Sequence, residues 1–524
     1  MVRRYLPLAA MAAAIVFNLA GPLCAKKAEP PATAGPVRTT ADSLRQAIHD
    51  LAETFGPRYP GAAAFLARLD RIGADGQPAA NPPGSGTADI EALAREVLLA
   101  NPLVRDHPIL FVVRHQYKSD HHNTATMFQT GEINTGSFQG GGAVRVLHLA
   151  DGGRVETLLD LPKGVARDPD VHPSGERVLL SIRQDPADDY HIYEMDLRPG
   201  ARGVLRQLTS LPGVTDIDPC YLPDGRIVFT STREPKFCMC NRHIMGNLFR
   251  MDGDGANVHQ IGRSTLHEGH PALMPDGTLL YDRWEYVDRN FGDAQGVWTC
   301  RPDGTNHAVF WGNNTPSPGG VIDARAIAGT DRFVATFTSC HDRPWGALAV
   351  VDRALGLDGR PPVVHTWPPD AVEHVMVGNF DRFKLVTPKY EDPYPLADAS
   401  VPASVGRYFL CSRQMTGEAM GIFLVDVFGN EVLVHAEVPG CFDPMPVAAC
   451  PPAPVVPDSI DYEEPHGAFY VQDVYVGGGM EAVPRGTVKY LRIVESPEKR
   501  FWTTSNWSGS GTQAPGMNWD DFNN

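Results

Sequence analysis

Positive charge is scarce in this sequence. Its 524 residues contain 46 Lys and Arg against 62 Asp and Glu, for a formal net charge of −16, and the basic residues form no run. A protein that binds nucleic acid or an anionic membrane surface needs a basic face to offset the phosphate charge. The composition therefore predicts that neither is a partner.

Long apolar runs are missing after the first 25 residues, MVRRYLPLAAMAAAIVFNLAGPLCA. In that stretch Arg3 and Arg4 precede an apolar run, and Leu23-Cys24-Ala25 offers a cleavage site, which is typical of a secretory signal peptide at residues 1–25. No later segment approaches the roughly 20 apolar residues that span a bilayer. We expect a periplasmic or secreted protein with no transmembrane domain after signal cleavage. A retained N-terminal anchor helix is the alternative.

Cysteine is sparse, and the common catalytic motifs are missing. Nine cysteines include Cys24, which leaves too few in the mature chain for a disulfide scaffold. The sequence contains no Cys-x-x-Cys-His, no Gly-x-Ser-x-Gly elbow, no phosphate loop and no dinucleotide fingerprint after a strand. We therefore expect no covalent haem on this chain and no catalysis by the chain alone. If it is an enzyme, we expect an oxidoreductase-type component.

The first part of the mature chain is predicted to be a linker and then helices. Residues 26–40, KKAEPPATAGPVRTT, have the composition of a disordered linker. Residues 41–104 form a predicted helical segment, in which Leu44, Ile48 and Leu51 share one face of a 3.6-residue period.

From residue 109 the sequence repeats a strand–turn–strand pattern about every 50 residues. Six such hairpins are predicted: AVRVLHLADGGRVETLL, HIYEMDLRPGARGVLRQL, NLFRMDGDGANVHQI, GVWTCRPDGTNHAVF, ALAVVDRALGLDGRPPVVHTW and GIFLVDVFGNEVLVHAE. Asp168-Pro169, Asp218-Pro219 and His270-Pro271 precede three of them at matching offsets, and Asp323 occupies that place in a fourth copy. Four strands per repeat and six repeats predict an all-β protein, a six-bladed β-propeller at residues 109–450. An irregular β-sandwich is the alternative.

In such a propeller, the loops between the second and third strands of every blade lie on one face, and function concentrates on such loops. Those loops and the segment HEGHP bring an unusual set of side chains to one rim. The predicted ligand-binding candidates in this set are Asp188, Asp189, His191, His267, His270, His341 and Asp342. His270 stands in the Asp register of the repeat, so it is also predicted to line the central channel. The long loop DHHNTATMFQTGEINTGSF could cover the rim as a lid.

The segment FCMCNRHIMGNLF places Cys238, Cys240 and His243 within six residues. Thiolate and imidazole are good ligands for zinc, copper or iron, and His121, His122 or Cys340 could complete such a site. Two alternatives remain open: a disulfide from Cys238 or Cys240 to Cys340, and buried thiols that pack as small apolar groups.

Several long segments resemble a known family. DHHNTATMFQTGEINTGSF, STREPKFCMCNRHIMGNLFRMDGDG, DRWEYVDRNFGDAQG, SCHDRPWGALAVVDR and FYVQDVY followed by GTVKYLRIVE closely resemble secreted bacterial proteins related to the hydrazine synthase alpha subunit. The resemblance runs from about Glu91 to the C-terminus. The repeats are also similar to those of TolB-type (PD40) propellers, a broader likeness.

The resemblance implies a six-bladed propeller followed by a middle domain. In the synthase, the middle and C-terminal domains carry c-type haems. This sequence ends at Asn524, in the region that resembles the start of the middle domain, so residues 459–524 are expected to be a partial β extension with GAFYVQDVY and GTVKYLRIVE as strands. Two functions follow. One is an exported propeller that binds a protein or small ligand through its Cys-, His- and Asp-rich rim. The other is a metal- or haem-associated redox component completed by a haem-bearing partner chain.

Overall fold

The computed structural model describes residues 39–75, 85–119, 122–129, 137–238, 243–285, 295–312, 314–461, 463–464, 466, 468–477, 479–493 and 498–500. His121, Cys240, the predicted signal peptide and most of the predicted linker lie outside these residues. Within them, no helix is both long enough and apolar enough to cross a bilayer.

Helices occupy the region before the first strand. They are α1 (Ala41–Phe55), α2 (Ala62–Asp75), α3 (Ser85–Leu99) and α4 (Pro102–Arg105). Thr40 begins α1 with a capping box, because its Oγ1 accepts from Ser43 N at 3.1 Å while Ser43 Oγ accepts from Thr40 N at 2.9 Å. The apolar faces of α1 and α3 are buried against the outer strands of two sheets, where Ile48 and Leu93 share a core with Leu424.

The rest of the described chain is mostly antiparallel β, with one further helix, α5 (Asn123–Phe128). The strands fall into six groups of four, which we call units one to six. Unit one contains β4 (Val165–Val171), β5 (Arg177–Arg183), β6 (His191–Asp196) and β7 (Leu205–Gln207). Unit two contains β8 (Asp216–Tyr221), β9 (Ile227–Ser231), β10 (Asn247–Met251) and β11 (His259–Gln260). Unit three contains β12 (His267–Leu273), β13 (Leu279–Trp284), β14 (Gln295–Cys300) and β15 (Ala308–Trp311).

Unit four contains β16 (Gly320–Ala326), β17 (Arg332–Thr338), β18 (Gly346–Asp352) and β19 (Val363–Trp367). Unit five contains β20 (Tyr390–Pro395), β21 (Tyr408–Gln414), β22 (Met420–Asp426) and β23 (Glu431–His435). Unit six joins the two ends of the repeat region: β24 (Cys441–Pro446), β1 (Ile109–Val113), β2 (Gly142–His148) and β3 (Arg154–Leu161). Units four and five share one sheet through the pair Gly346–Tyr390.

The first strands of the units contact one another in a closed circle. Contacts join β4 to β8, β8 to β12, β12 to β16, β16 to β20, β20 to β24, and β24 back to β4. Each of the six predicted hairpins forms as the third and fourth strands of a unit. The prediction of a mostly β protein with antiparallel sheets and few helices is therefore confirmed.

The predicted strands of the C-terminal extension do not form in the described residues between 447 and 500. The first part of this segment is tied to the ring of units, since Cys450 N donates to Pro173 O at 2.9 Å and Asp458 pairs with Arg250 at 2.8 Å. Farther on, Phe469, Tyr470 and Tyr490 are 77%, 89% and 92% exposed. Two strands without a third element to cover their apolar face are marginal in water, which explains the error.

Candidate functional site

The first strand of every unit carries one residue with the same unusual backbone. Its φ is positive, and in each unit the strand register shifts at this point, as in a β-bulge. The six residues, which we call the channel ring, are Asp168 (φ 51°), Asp218 (φ 53°), His270 (φ 46°), Asp323 (φ 51°), Asp392 (φ 54°) and Asp443 (φ 52°). Asp tolerates a left-handed conformation better than most residues, which suits this position.

Two members of the channel ring, Asp392 and Asp443, were not among the residues predicted from the sequence. A signal was present, because each precedes a proline, as Asp168 and Asp218 do. These two are 51 residues apart, close to the 50 that separate Asp168 from Asp218. The insertion between β19 and β20, which contains short 3-10 helices at Pro369–His374 and Arg382–Leu385, lengthens the fifth repeat and hides its register.

Part of the channel ring joins neighbouring units. Asp168 Oδ2 accepts from Asp218 N at 3.2 Å, and Asp218 Oδ2 accepts from His270 N at 3.2 Å. Asp392 Oδ2 accepts from Asp443 N at 3.0 Å. These hydrogen bonds give the carboxylates a structural role between the inner strands.

Unit three differs from units one and five, because its acid lies on the second strand and not at the ring position. In units one and five, a serine of the second strand donates to the ring carboxylate: Ser181 Oγ to Asp168 Oδ2 at 2.8 Å, and Ser412 Oγ to Asp392 Oδ2 at 2.6 Å. Unit three instead has His270 in the ring and Asp282 on the second strand, with Nδ1 and Oδ1 2.6 Å apart. Burial disfavours the charged imidazole, but the carboxylates of Asp218 and Asp282 outweigh it and raise the pKa of His270 to about 10. His270 is therefore cationic at neutral pH.

All six ring residues line one central cavity. Other charged side chains also line it, and two of them are paired with the ring. Arg167 Nε lies 2.7 Å from Asp168 Oδ1, and its Nη2 lies 3.5 Å from Asp218 Oδ1. Arg325 Nε lies 3.7 Å from Asp323 Oδ1. Arg114, Asp170 and Glu391 complete this charged lining.

Carboxyl groups in the cavity hold protons more tightly than usual. Burial raises the pKa of Asp218 to about 6 and that of Asp323 to about 7. Burial and then the neighbouring Asp392 raise the pKa of Glu391 to about 8. Asp168 differs, because the charge of Arg167 and its hydrogen bonds overcome burial and lower its pKa. The physical cause is the desolvation of several carboxylates in one place.

Two carboxylate oxygens in this cavity are buried without a hydrogen bond from the described residues. Asp218 is 5% exposed, and its Oδ1 accepts no hydrogen bond among the described residues, with Arg167 Nη2 at 3.5 Å as its nearest recorded cation. Asp443 Oδ2 is likewise buried and accepts no hydrogen bond from the described residues. Buried polar atoms normally have partners, so such oxygens indicate room for a ligand or water.

The described part of the loop between β1 and β2 packs against the central cavity. Its helix α5 places Met127 in the cavity lining, and Arg167 Nη1 donates to Met127 O at 2.6 Å. Phe128 is fully buried, and its ring lies 5.6 Å from the ring of His267. Burial lowers the pKa of His267 to about 4, so it is neutral and part of this packing. Helix α5 is therefore a packed part of the cavity wall.

The structure brings together His122, Cys340 and His341, from two of the predicted loops. One ring nitrogen of each histidine and Cys340 Sγ lie within 4.8 Å of one another. Cys238 and His243 do not join this group. They are buried neighbours in a short hairpin, where Cys238 N donates to His243 O at 2.9 Å. No disulfide joins Cys238 to Cys340.

The other rim candidates have local partners. Asp188 accepts from Gln184 N at 3.2 Å and Asp189 from Gly213 N at 2.9 Å. Asp342 Oδ1 accepts from Arg343 N at 2.8 Å. His191 begins β6 and is buried, and His267 and His270 lie on β12 rather than on a loop as predicted. The reason is that HEGHP is itself the start of the inner strand.

No family model and no curated protein sequence matches the chain. Among solved structures, hydrazine synthase of Kuenenia stuttgartiensis matches with 17% identity and a TM-score of 0.49. That match covers 67% of this chain and 48% of the other, so this chain spans about half the length of that relative. TolB of Acinetobacter baumannii matches with 13% identity and a TM-score of 0.37, over 70% of this chain and 74% of its own. A puromycin hydrolase matches with 16% identity and a TM-score of 0.34, over 63% and 52%. At these values the similarities assign neither a family nor an activity.

Proposed function

We propose that this chain is an exported six-bladed β-propeller, in which units one to six are the blades, and that it binds a small cation in the central cavity. The closed circle of inner strands supports the architecture. The observation that carries the binding function is Asp218 Oδ1, a buried carboxylate oxygen that faces the cavity without a hydrogen bond.

The charge of the cavity favours a cation. Its lining contains seven carboxyl groups, Asp168, Asp170, Asp218, Asp323, Glu391, Asp392 and Asp443, and four cationic side chains, Arg114, Arg167, His270 and Arg325. Burial is the largest cause of the raised pKa values of Asp218, Asp323 and Glu391, and a bound cation would offset part of that cost by favouring the ionised carboxylates. A cation would displace their protons.

The size of the cavity limits the ligand. The volume that the centre of a water molecule can occupy inside the cavity is about 50 Å³. A buried water needs about 10–15 Å³ on this measure, so the cavity has room for a hydrated ion or a small amine. Oxygen ligands suit hard divalent ions such as Ca²⁺ or Mg²⁺.

Calorimetric titration of the purified protein with Ca²⁺, Mg²⁺ and methylammonium would test this function. We expect saturable binding of one equivalent of at least one cation, weakened about tenfold or more in Asp323→Asn, because affinity follows the number of charged ligands. Asp323 is the best position to change, since within the described residues its carboxylate is paired with Arg325 of its own unit and accepts no inter-unit hydrogen bond. The control is Asp160→Asn, an exposed carboxylate on an outer strand with 69% of its side chain accessible. Equal affinity in both variants, or no binding by the unaltered protein, would refute the proposal.

A second candidate is a component of a redox assembly completed by a haem-bearing chain. The sequence resemblance to the hydrazine synthase alpha subunit supports it, and so do the exposed Phe469, Tyr470 and Tyr490 in the region that resembles a middle domain. Large exposed apolar groups mark interaction surfaces. We expect the tagged protein to co-purify from its native host with a chain that shows haem absorption. Co-purification should be lost when Tyr470 and Tyr490 are both replaced by Ser, and its persistence in that variant would exclude this surface.

A further inference from the structure

A second site lies outside the central cavity, where two loops meet. His122 precedes α5 in the β1–β2 loop, and Cys340 and His341 lie in the β17–β18 loop. His122 and Cys340 are fully buried, and His341 is half-buried. The imidazoles of His122 and His341 are 4.8 Å apart, and Trp284 packs edge-on against His122 at 4.8 Å.

We propose that His122, Cys340 and His341 bind one transition-metal ion, with zinc as the reference case. This site shares no residue with the central cavity and does not depend on the cation proposed there. Zinc takes four ligands in most protein sites, and these three residues supply three of them.

The separation of the donor atoms fits a metal ion. Cys340 Sγ and His122 Nδ1 are 3.5 Å apart. In a tetrahedral site with Zn–S near 2.3 Å and Zn–N near 2.0–2.1 Å, a sulfur and a nitrogen ligand lie about 3.6 Å apart. One thiolate and two imidazoles are also the donor types that zinc and copper prefer.

The two loops are held together by hydrogen bonds that do not involve the proposed ligand atoms. Asn123, next to His122, donates from its backbone N to Cys340 O at 2.9 Å and from Nδ2 to Ser339 O at 3.1 Å. Asn123 Nδ2 also lies 2.7 Å from Gln295 Oε1. Cys340 N donates to Phe380 O at 3.0 Å. A binding site needs this kind of fixed backbone, because it sets the spacing of the ligands before the ion arrives.

Asp381 supplies the second layer of the site. Its carboxylate lies 3.1 Å from His341 Nδ1 and accepts from His341 N at 3.0 Å. Metal-bound histidines usually donate their other ring N–H to a carboxylate, which orients the ring. With Nδ1 directed to Asp381, Nε2 of His341 is the atom assigned to the metal.

Cobalt titration of the chelator-treated protein would test the site. Co²⁺ replaces zinc in such centres and gives a thiolate-to-metal absorption band when sulfur is a ligand. We expect one equivalent of Co²⁺ with this band, its displacement by Zn²⁺, and loss of the band in Cys340→Ser. Cys450→Ser is the matched control, because Cys450 is an exposed thiol remote from the site in sequence. Asp381→Asn should weaken metal affinity by about 10–100-fold while the band remains.

If Cys340→Ser fails to fold, His341→Gln provides a second test, because the side chain of His341 is only half-buried and its replacement should be tolerated. We expect His341→Gln to weaken Co²⁺ binding by at least tenfold. Two outcomes would overturn the proposal: absence of the thiolate band from the unaltered protein, or a band of equal strength in Cys340→Ser. Asp323→Asn should leave the cobalt band unchanged, so the failure of the cavity function and the failure of this site are distinguishable.

Discussion

The channel ring and the rim cluster of His122, Cys340 and His341 are built in opposite ways. The ring takes one residue from the same strand position of each unit, and three inter-unit hydrogen bonds run through its carboxylates. The cluster takes residues 218 positions apart from two loops that follow no repeat. We infer that the ring residues both stabilise the fold and form a binding site, whereas the cluster residues can be changed with loss of binding but little loss of stability.

The largest effect is expected from Asp168→Ala, which removes the partner of buried Arg167, the acceptor for Ser181 and the bond to Asp218 N. Breaking a buried ion pair on one side costs about 3–5 kcal/mol. Chemical denaturation followed by tryptophan fluorescence should show a loss of unfolding free energy of that order. Asp323→Ala, which removes no inter-unit bond, should cost clearly less, and equal losses would mean that the inter-unit bonds are not what matters.

The exchanged pair of unit three offers a sharper test of the ring. His270→Asp places a carboxylate opposite Asp282, and we expect a loss of about 2 kcal/mol at pH 8, because a buried like-charge pair is destabilising. The double variant with Asp282→Ser recreates the Asp–Ser pair of units one and five and should recover most of the loss. Thermal unfolding of the two variants in one buffer measures this. No recovery would show that the units are not equivalent.

A smaller effect is expected from pH. The pKa values of Asp323, about 7, and Glu391, about 8, are raised in the folded protein, so the folded state binds protons that the unfolded state releases. This contribution to stability is fully present below the unfolded pKa, near 4, and is lost as pH rises through 7 and 8. Unfolding midpoints between pH 6 and 8.5 should therefore fall. Asp323→Asn should flatten the fall, and the rim variant His341→Gln should not.

The smallest effect on stability is expected at the rim. His341→Gln should change the unfolding free energy by less than about 1 kcal/mol, since its side chain is only half-buried. The same variant should lose most of its metal affinity. Denaturation of the metal-free proteins isolates the first effect. A loss of unfolding free energy as large as that of Asp168→Ala would show that the cluster stabilises the fold as the channel ring does, which would contradict the comparison.

Much of the fold was predictable because each β repeat produces a recognisable pattern within a short stretch of sequence. The six hairpins follow from alternating apolar residues and turn residues. The repeat spacing gives four of the ring positions, two of which carry the dipeptide Asp-Pro. Asp392 and Asp443 were missed only because an insertion disturbs the spacing. The C-terminal strands were predicted wrongly, because strand propensity in GAFYVQDVY says nothing about whether a partner covers its apolar face.

The sequence by itself determined the mostly β class, the repeat and the exchange of Asp for His at position 270, because each depends on neighbours within a few residues. Only the tertiary structure decided which side chains meet. The predicted grouping of Cys238 and His243 with Cys340 gave way to His122, Cys340 and His341, because the hydrogen bonds of Asn123 to Cys340 O and Ser339 O hold the neighbouring His122 beside Cys340. The raised pKa values of the cavity acids likewise arise only when six distant strands enclose them, since desolvation is a property of the closed circle and not of any one strand.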